Sequence, residues 1–144
     1  MYQGSCLCGA VRFKLHGGIK SIVCCHCSQC RKAQGSAFAT NGVVQEAAFT
    51  FVAGADLLNG YESSPGQIKY FCRQCGSPLF SKNSHNPGQL RIRLGLIESD
   101  IDERPEAHIF VGSKANWEEI CDDLPQFDEY ETARMAPQGG VHGA

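Results

Sequence analysis

Residues 24 to 30 read CCHCSQC, four cysteines and one histidine in seven positions, a density of soft donors that core packing never requires. Cys25, Cys27 and Cys30 follow C-x-C-x-x-C spacing. One short segment can therefore bring three thiolates to one metal, which leaves a tetrahedral ion such as zinc one vacant position. Three protein ligands point to chemistry, whereas four point to a structural staple.

The chain holds nine cysteines, and two further groups stand out: Cys6 with Cys8, and Cys72 with Cys75 in the stretch CRQCG. An odd count, no secretory signal and C-x-C or C-x-x-C spacing favour metal ligation over a disulfide framework. Seven grouped ligands divide naturally into four plus three. The C-x-C pair suits a strand, where residues two apart share a face, and Gly76 permits a tight knuckle. Spacing alone leaves the pairing open. A zinc ribbon would join Cys27 and Cys30 to Cys72 and Cys75; a three-thiolate claw keeps residues 25 to 30 together.

At 144 residues, with 42% hydrophobic and 19% charged content, the chain has the size and composition of one soluble domain with a real core. No apolar run approaches the ~18 residues of a membrane span. The start, MYQGSCLCGAVRFK, lacks the features of a secretory signal, so a cytoplasmic protein is expected. Charge is unevenly spread: residues 1–93 carry ten Lys/Arg against three Asp/Glu, and residues 94–144 carry three against twelve. The acidic last third argues against a nucleic-acid surface over the whole domain. The basic part, even after allowance for seven thiolates and two zinc ions, suits a small anionic substrate.

Period-two alternation dominates. Val11, Phe13 and Leu15 alternate with Arg12 and Lys14, and Leu90, Ile92, Leu94 and Leu96 alternate with Arg91, Arg93 and Gly95. Both stretches read as half-buried strands. Further strands are expected near 21–25, 38–44, 48–53, 68–72, 78–82 and 107–111. The pairs Gly17-Gly18, Asn41-Gly42, Asn59-Gly60 and Pro65-Gly66 read as turns between them. One short helix is expected from Asn116 through Trp117 to Cys121, ending before Pro125. Residues 1–135 are expected to form one domain, with 136–144, APQGGVHGA, as a disordered tail.

Four stretches carry a resemblance: GSCLCGAVRF at 4–13, CHCSQCRKAQGSAF at 25–38, FCRQCGSPLF at 71–80 and HIFVGSKANWEEICDDLPQF at 108–127. In that order they are similar to the glutathione-dependent formaldehyde-activating enzyme family, which includes the centromere protein V domain, and the match is closest to its shorter general branch. The resemblance implies a mostly β, zinc-stapled fold of twisted sheets with little helix, similar to methionine-R-sulfoxide reductases. It also implies two zinc ions per chain. Carried over by position, Cys6, Cys8, Cys72 and Cys75 are the structural ligands, and Cys25, Cys27 and Cys30 hold the catalytic zinc. The implied activity is a carbon-sulfur lyase acting on a thiol-aldehyde adduct, as in S-(hydroxymethyl)glutathione synthase, with glutathione and formaldehyde as partners.

Arg31 and Lys32 follow the last ligand and are candidates to hold a glutathione carboxylate. Gly35 and Ser36 shape the turn behind the claw, with Ser36 a candidate hydrogen-bond donor to substrate. His26 should point away from the metal of its neighbours if the backbone is extended. Cys24 and Cys121 are expected to be buried free thiols, His108 a packed histidine, and Trp117 and Phe127 side chains that pack the C-terminal segment onto the sheet. A non-catalytic zinc module contacting nucleic acid or protein is the alternative function; seven ligands rather than eight favour catalysis. A methionine sulfoxide reductase ranks third, because QLRIRLGLI at 89–97 holds no late-strand cysteine.

Overall fold

The structure, a computed structural model, describes residues 1–130. The tail expected from Ala136 lies outside the described residues. Among the described residues, ten strands and one short α-helix follow in chain order: β1 (Tyr2–Ser5), β2 (Arg12–Leu15), β3 (Lys20–Cys25), α1 (Ser28–Gln34), β4 (Ala39–Gln45), β5 (Phe49–Ala53), β6 (Leu58–Ser64), β7 (Gln67–Cys72), β8 (Pro78–Asn83), β9 (Gln89–Arg93) and β10 (Ala107–Ile109). The mostly β reading is borne out.

The strands form two sheets. A three-stranded sheet runs β1-β2-β5, and a seven-stranded sheet runs β10-β3-β4-β9-β8-β7-β6. All pairings are antiparallel except β10 with β3. The alternation in the sequence is what makes two sheets pack. Val11, Phe13 and Leu15 turn inward from the small sheet, and Ile22, Val44, Phe80, Leu90 and Ile92 meet them from the large one. Phe13 stacks on Phe49 with ring centroids 4.9 Å apart. Each such side chain, fully buried, contributes about 1.5–3 kcal/mol.

The opposite face of the large sheet is different. Asn41 pairs with Arg93, and Arg91, Ser81, Lys69 and Tyr61 stand in register across four strands. Paired residues share a face, and residues two apart on one strand do too. Asn41, Arg91, Arg93, Ser81 and Lys69 therefore lie on one polar face, back to back with the core. A second buried cluster closes the far end: Val23, Cys25, Cys27, Cys30, Ala39, Ala107, Ile109 and Phe110, with Phe127 and Tyr130 against it.

Several expectations fail for physical reasons. The helix expected at 116–121 does not form. Trp117, Ile120 and Cys121 do fall at i, i+3 and i+4, but Trp117 and Cys121 stay exposed, and six residues with so little of that face buried do not offset helix nucleation. Trp117 is consequently 69% exposed rather than packed on the sheet, and Cys121 is exposed rather than buried. Cys24 is buried, and Phe127 does pack as expected. Asn41-Gly42 and Asn59-Gly60 lie inside β4 and β6, not in turns. A Cβ at Gly42 would sit 2.4 Å from Ile19 Cγ2, so this glycine serves close packing. Residues 94–96 leave the expected strand as a 3-10 turn.

Candidate metal centre

The four-cysteine group is built by two turns. Cys6 and Cys8 sit on the β1–β2 turn, just past the strand in which the C-x-C pair was expected. Cys72 ends β7, and Cys75 lies in the turn to β8. Gly76, at φ 79°, donates its N–H to Cys72 O at 2.7 Å and closes the knuckle. The Sγ atoms of Cys6 and Cys8 are 3.6 Å apart, and those of Cys8 and Cys72 4.0 Å. All four lie within 4.8 Å of one another and could hold a metal ion.

The environment favours charge on part of this group. Burial pushes the Cys75 thiol up, but hydrogen bonds from the Ser77 side chain and backbone, from the Cys8 backbone and from Cys72 outweigh it and bring Cys75 to about 5. Cys8 moves the other way. Against a hydrogen bond from the Ala10 backbone, hydrogen bonding with Cys6, burial and contacts with Cys75 and Cys72 push it up to about 11.

The second group comes from one segment. Cys25 ends β3, Cys27 caps α1 by accepting the Cys30 N–H at 3.3 Å, and Cys30 faces inward from the helix. Gly35, at φ 62°, ends α1 and donates its N–H to Arg31 O at 2.8 Å, so the turn expected behind the claw is a helix C-cap. The three sulfurs lie within 4.8 Å of one another, and all are essentially fully buried. Four-plus-three is therefore the grouping, and the ribbon pairing is ruled out: Cys25, Cys27 and Cys30 are one cluster. Asn41 Nδ2 points at Cys30 Sγ from 3.9 Å. Hydrogen bonds from Cys25 and then Cys27 outweigh burial and, with the charges of Lys69 and Arg93, hold the Cys30 thiol well below its ordinary range. Hydrogen bonding with Cys27 and Cys30, followed by burial, pushes Cys25 well above it.

His26 does turn away from this cluster. Its ring Nε2 lies 2.8 Å from His108 Nδ1, and His108 Nε2 lies 3.0 and 3.1 Å from the two carboxylate oxygens of Asp122. When His108 Nε2 donates to an ionised Asp122 and the ring is neutral, its Nδ1 accepts from His26 Nε2–H; a protonated His108 would reverse that second bond. Burial, followed by the charges of His108, Lys114 and Arg31, lowers His26 to about 4. The packed histidine expected at 108 is thus the middle of a hydrogen-bonded chain. Nothing in the sequence ties Asp122 to it.

Between α1 and the β7–β8 hairpin lies a cavity of about 330 Å³, walled by Ala33 of α1, Tyr61 of β6, Lys69, Tyr70 and Phe71 of β7, Gly76 and Pro78 of the hairpin, and Arg93 of β9; none of the three cysteines walls it, but Lys69 and Arg93 are near enough for their charges to act on Cys30. Arg31 and Lys32 do not line it; Lys32 is exposed on α1. Ser36 donates its hydroxyl to Phe38 O at 2.6 Å. Lys69 and Arg93, which wall the cavity, and Asn41, which points at Cys30, are residues that sequence reasoning did not single out as candidate site residues. The alternation of Arg91 and Arg93 with Leu90 and Ile92, expected as a half-buried strand, is the visible trace of the two arginines sharing one face.

The sequence pattern described as glutathione-dependent formaldehyde-activating enzyme matches residues 1–113. The chain belongs to this family. A Halomonas elongata protein whose name carries the same description is 31% identical over 83% of this chain and 81% of its own length. An uncharacterized lyase of Schizosaccharomyces pombe is 32% identical over 76% of this chain and 85% of its own. The chain spans 56% of an Aspergillus flavus member of the family, at 32% identity. Among solved structures, a Rhodobacter sphaeroides protein superposes with a TM-score of 0.58 and 26% identity, covering 69% of this chain and 91% of that one. One of these relatives, that of Schizosaccharomyces pombe, is named as a lyase, and no helix among the described residues is long and apolar enough to cross a membrane.

Proposed function

We propose that this protein is a zinc-dependent carbon-sulfur lyase that makes and breaks the bond between a thiol and an aldehyde, with glutathione and formaldehyde giving S-(hydroxymethyl)glutathione. The observation that carries this reading is the unequal pair of cysteine groups, one of four and one of three. The donor chemistry fits zinc. Four sulfurs about 2.3 Å from a tetrahedral zinc lie roughly 3.8 Å apart, and here Cys6 and Cys8 are 3.6 Å apart, Cys8 and Cys72 4.0 Å, and all four within 4.8 Å of one another.

Cys6, Cys8, Cys72 and Cys75 would hold the structural zinc, stapling the β1–β2 turn to the β7–β8 knuckle. Cys25, Cys27 and Cys30 would hold the catalytic zinc, which supplies one open position at which a thiol is acidified toward thiolate at neutral pH. The buried cluster keeps bulk water away from the reacting sulfur, and Asn41 steadies Cys30. Arg31 and Lys32 would reach the outer carboxylates of a substrate as long as glutathione. In the addition the thiol sulfur bonds to the aldehyde carbon, and the thiol proton ends on the former carbonyl oxygen. No electron is gained or lost. All nine cysteines are free, which suits a reducing compartment such as the cytoplasm, where glutathione is available.

Exchange NMR of glutathione and formaldehyde with the zinc-loaded protein tests the reading. Adduct formation should accelerate with the parent protein and fall to the uncatalysed rate with Cys27→Ser. No acceleration by a fully metallated, folded protein would overturn it.

A further inference from the structure

We propose that the cavity between α1 and the β7–β8 hairpin is a carboxylate subsite, in which Arg93 and Lys69 bind the anionic group of a small thiol whose sulfur meets the three-cysteine cluster. This rests on the reading of that cluster as a thiol-accepting metal site.

Arg93 is the first argument. It is 3% exposed and walls the cavity; its Nη1 donates to Arg91 O at 3.1 Å, while Nε, also buried, has no partner. A buried guanidinium with an unmet donor is costly unless a ligand completes it, and its planar fork matches a carboxylate. Lys69 is the second. It comes from β7, on the same face of the sheet, and walls the same cavity. Charge supplies the third: two cationic side chains, Arg93 and Lys69, wall one cavity, a field that suits an anion. Size is the fourth: about 330 Å³ is near the lower end of the roughly 300–1,000 Å³ usual for small-molecule pockets. The subsite thus fits a small carboxylate, free or as one arm of a larger thiol.

The test is calorimetric titration of the metal-loaded protein with 3-mercaptopropionate, 2-mercaptoethanol and propionate, repeated on Lys69→Met and Arg93→Met. The carboxylated thiol should bind about 10-fold or more tightly than the neutral one. That advantage should collapse toward unity in Lys69→Met, with 2-mercaptoethanol unchanged. Lys69 is only half-buried, so this variant decides the matter even if Arg93→Met fails to fold. Equal affinity for both thiols in the parent, or equal loss of both in Lys69→Met, overturns the subsite and leaves the lyase reading standing. If no thiol binds, the lyase reading falls. Propionate binding abolished by Lys69→Met would still support the anion site, and absence of propionate binding as well would remove it.

Discussion

Asn41 and Arg93 stand opposite each other across the β4–β9 ladder, and while Asn41 points its amide at Cys30 Sγ from 3.9 Å, Arg93 walls the adjoining cavity. One cross-strand pair thus touches both halves of the candidate site. Because Leu90 and Ile92 on the same strand are locked into the core, the register of the pair is fixed.

Asn41→Leu keeps the approximate shape and removes the donor beside Cys30. Groups that hydrogen-bond metal ligands typically contribute about 10- to 100-fold in metal affinity. The three-cysteine site should weaken by that factor while the four-cysteine site keeps its metal. Competition with a chromophoric chelator measures both. Equal weakening of the two sites would contradict the local role given to Asn41.

Cys72 and Cys27 should differ in kind. Cys72 lies in the main core and staples two distant turns, so Cys72→Ser should unfold or aggregate the protein. Cys27→Ser alters the smaller cluster and should lose one metal and all activity with the far-UV circular dichroism retained. Collapse of both variants at room temperature would argue against a structural and a catalytic division.

The histidine chain gives a ranked stability prediction. His108→Ala strands a buried ring nitrogen of His26 and should cost about 1–3 kcal/mol. Asp122 has its side chain 51% exposed, and Asp122→Ala should cost about 1 kcal/mol or less. Urea unfolding of the metal-loaded variants reads the order, and equal costs would show that His26 does not depend on His108.

Where pattern and physics coincide, the sequence was readable. The core strands announce themselves through Val11, Phe13 and Leu15 or Leu90 and Ile92, because half-buried strands must alternate. β6 was missed because it is an edge strand, exposed along most of its length, with Gly60 in its middle. The helix α1 was missed because only Cys30 in it is buried and its N-cap is a cysteine; Gly35 was the one legible stop signal. The cysteine groups were visible as short-range spacing, but the four-plus-three division needed the family resemblance or the fold. Lys69 and Arg93 come together only through register across β7, β8 and β9, which no local pattern encodes.

Cobalt substitution reads most directly whether the three-cysteine cluster leaves a position for substrate. The expected result is two cobalt ions per chain, one resistant to chelation and one readily removed. Glutathione should add a sulfur-to-cobalt charge-transfer band belonging to the labile ion alone, and the band should be absent in Cys27→Ser. Two equally inert ions whose spectrum is unchanged by saturating glutathione, 3-mercaptopropionate and 2-mercaptoethanol would mean that both sites are closed, and would contradict a thiol-accepting centre.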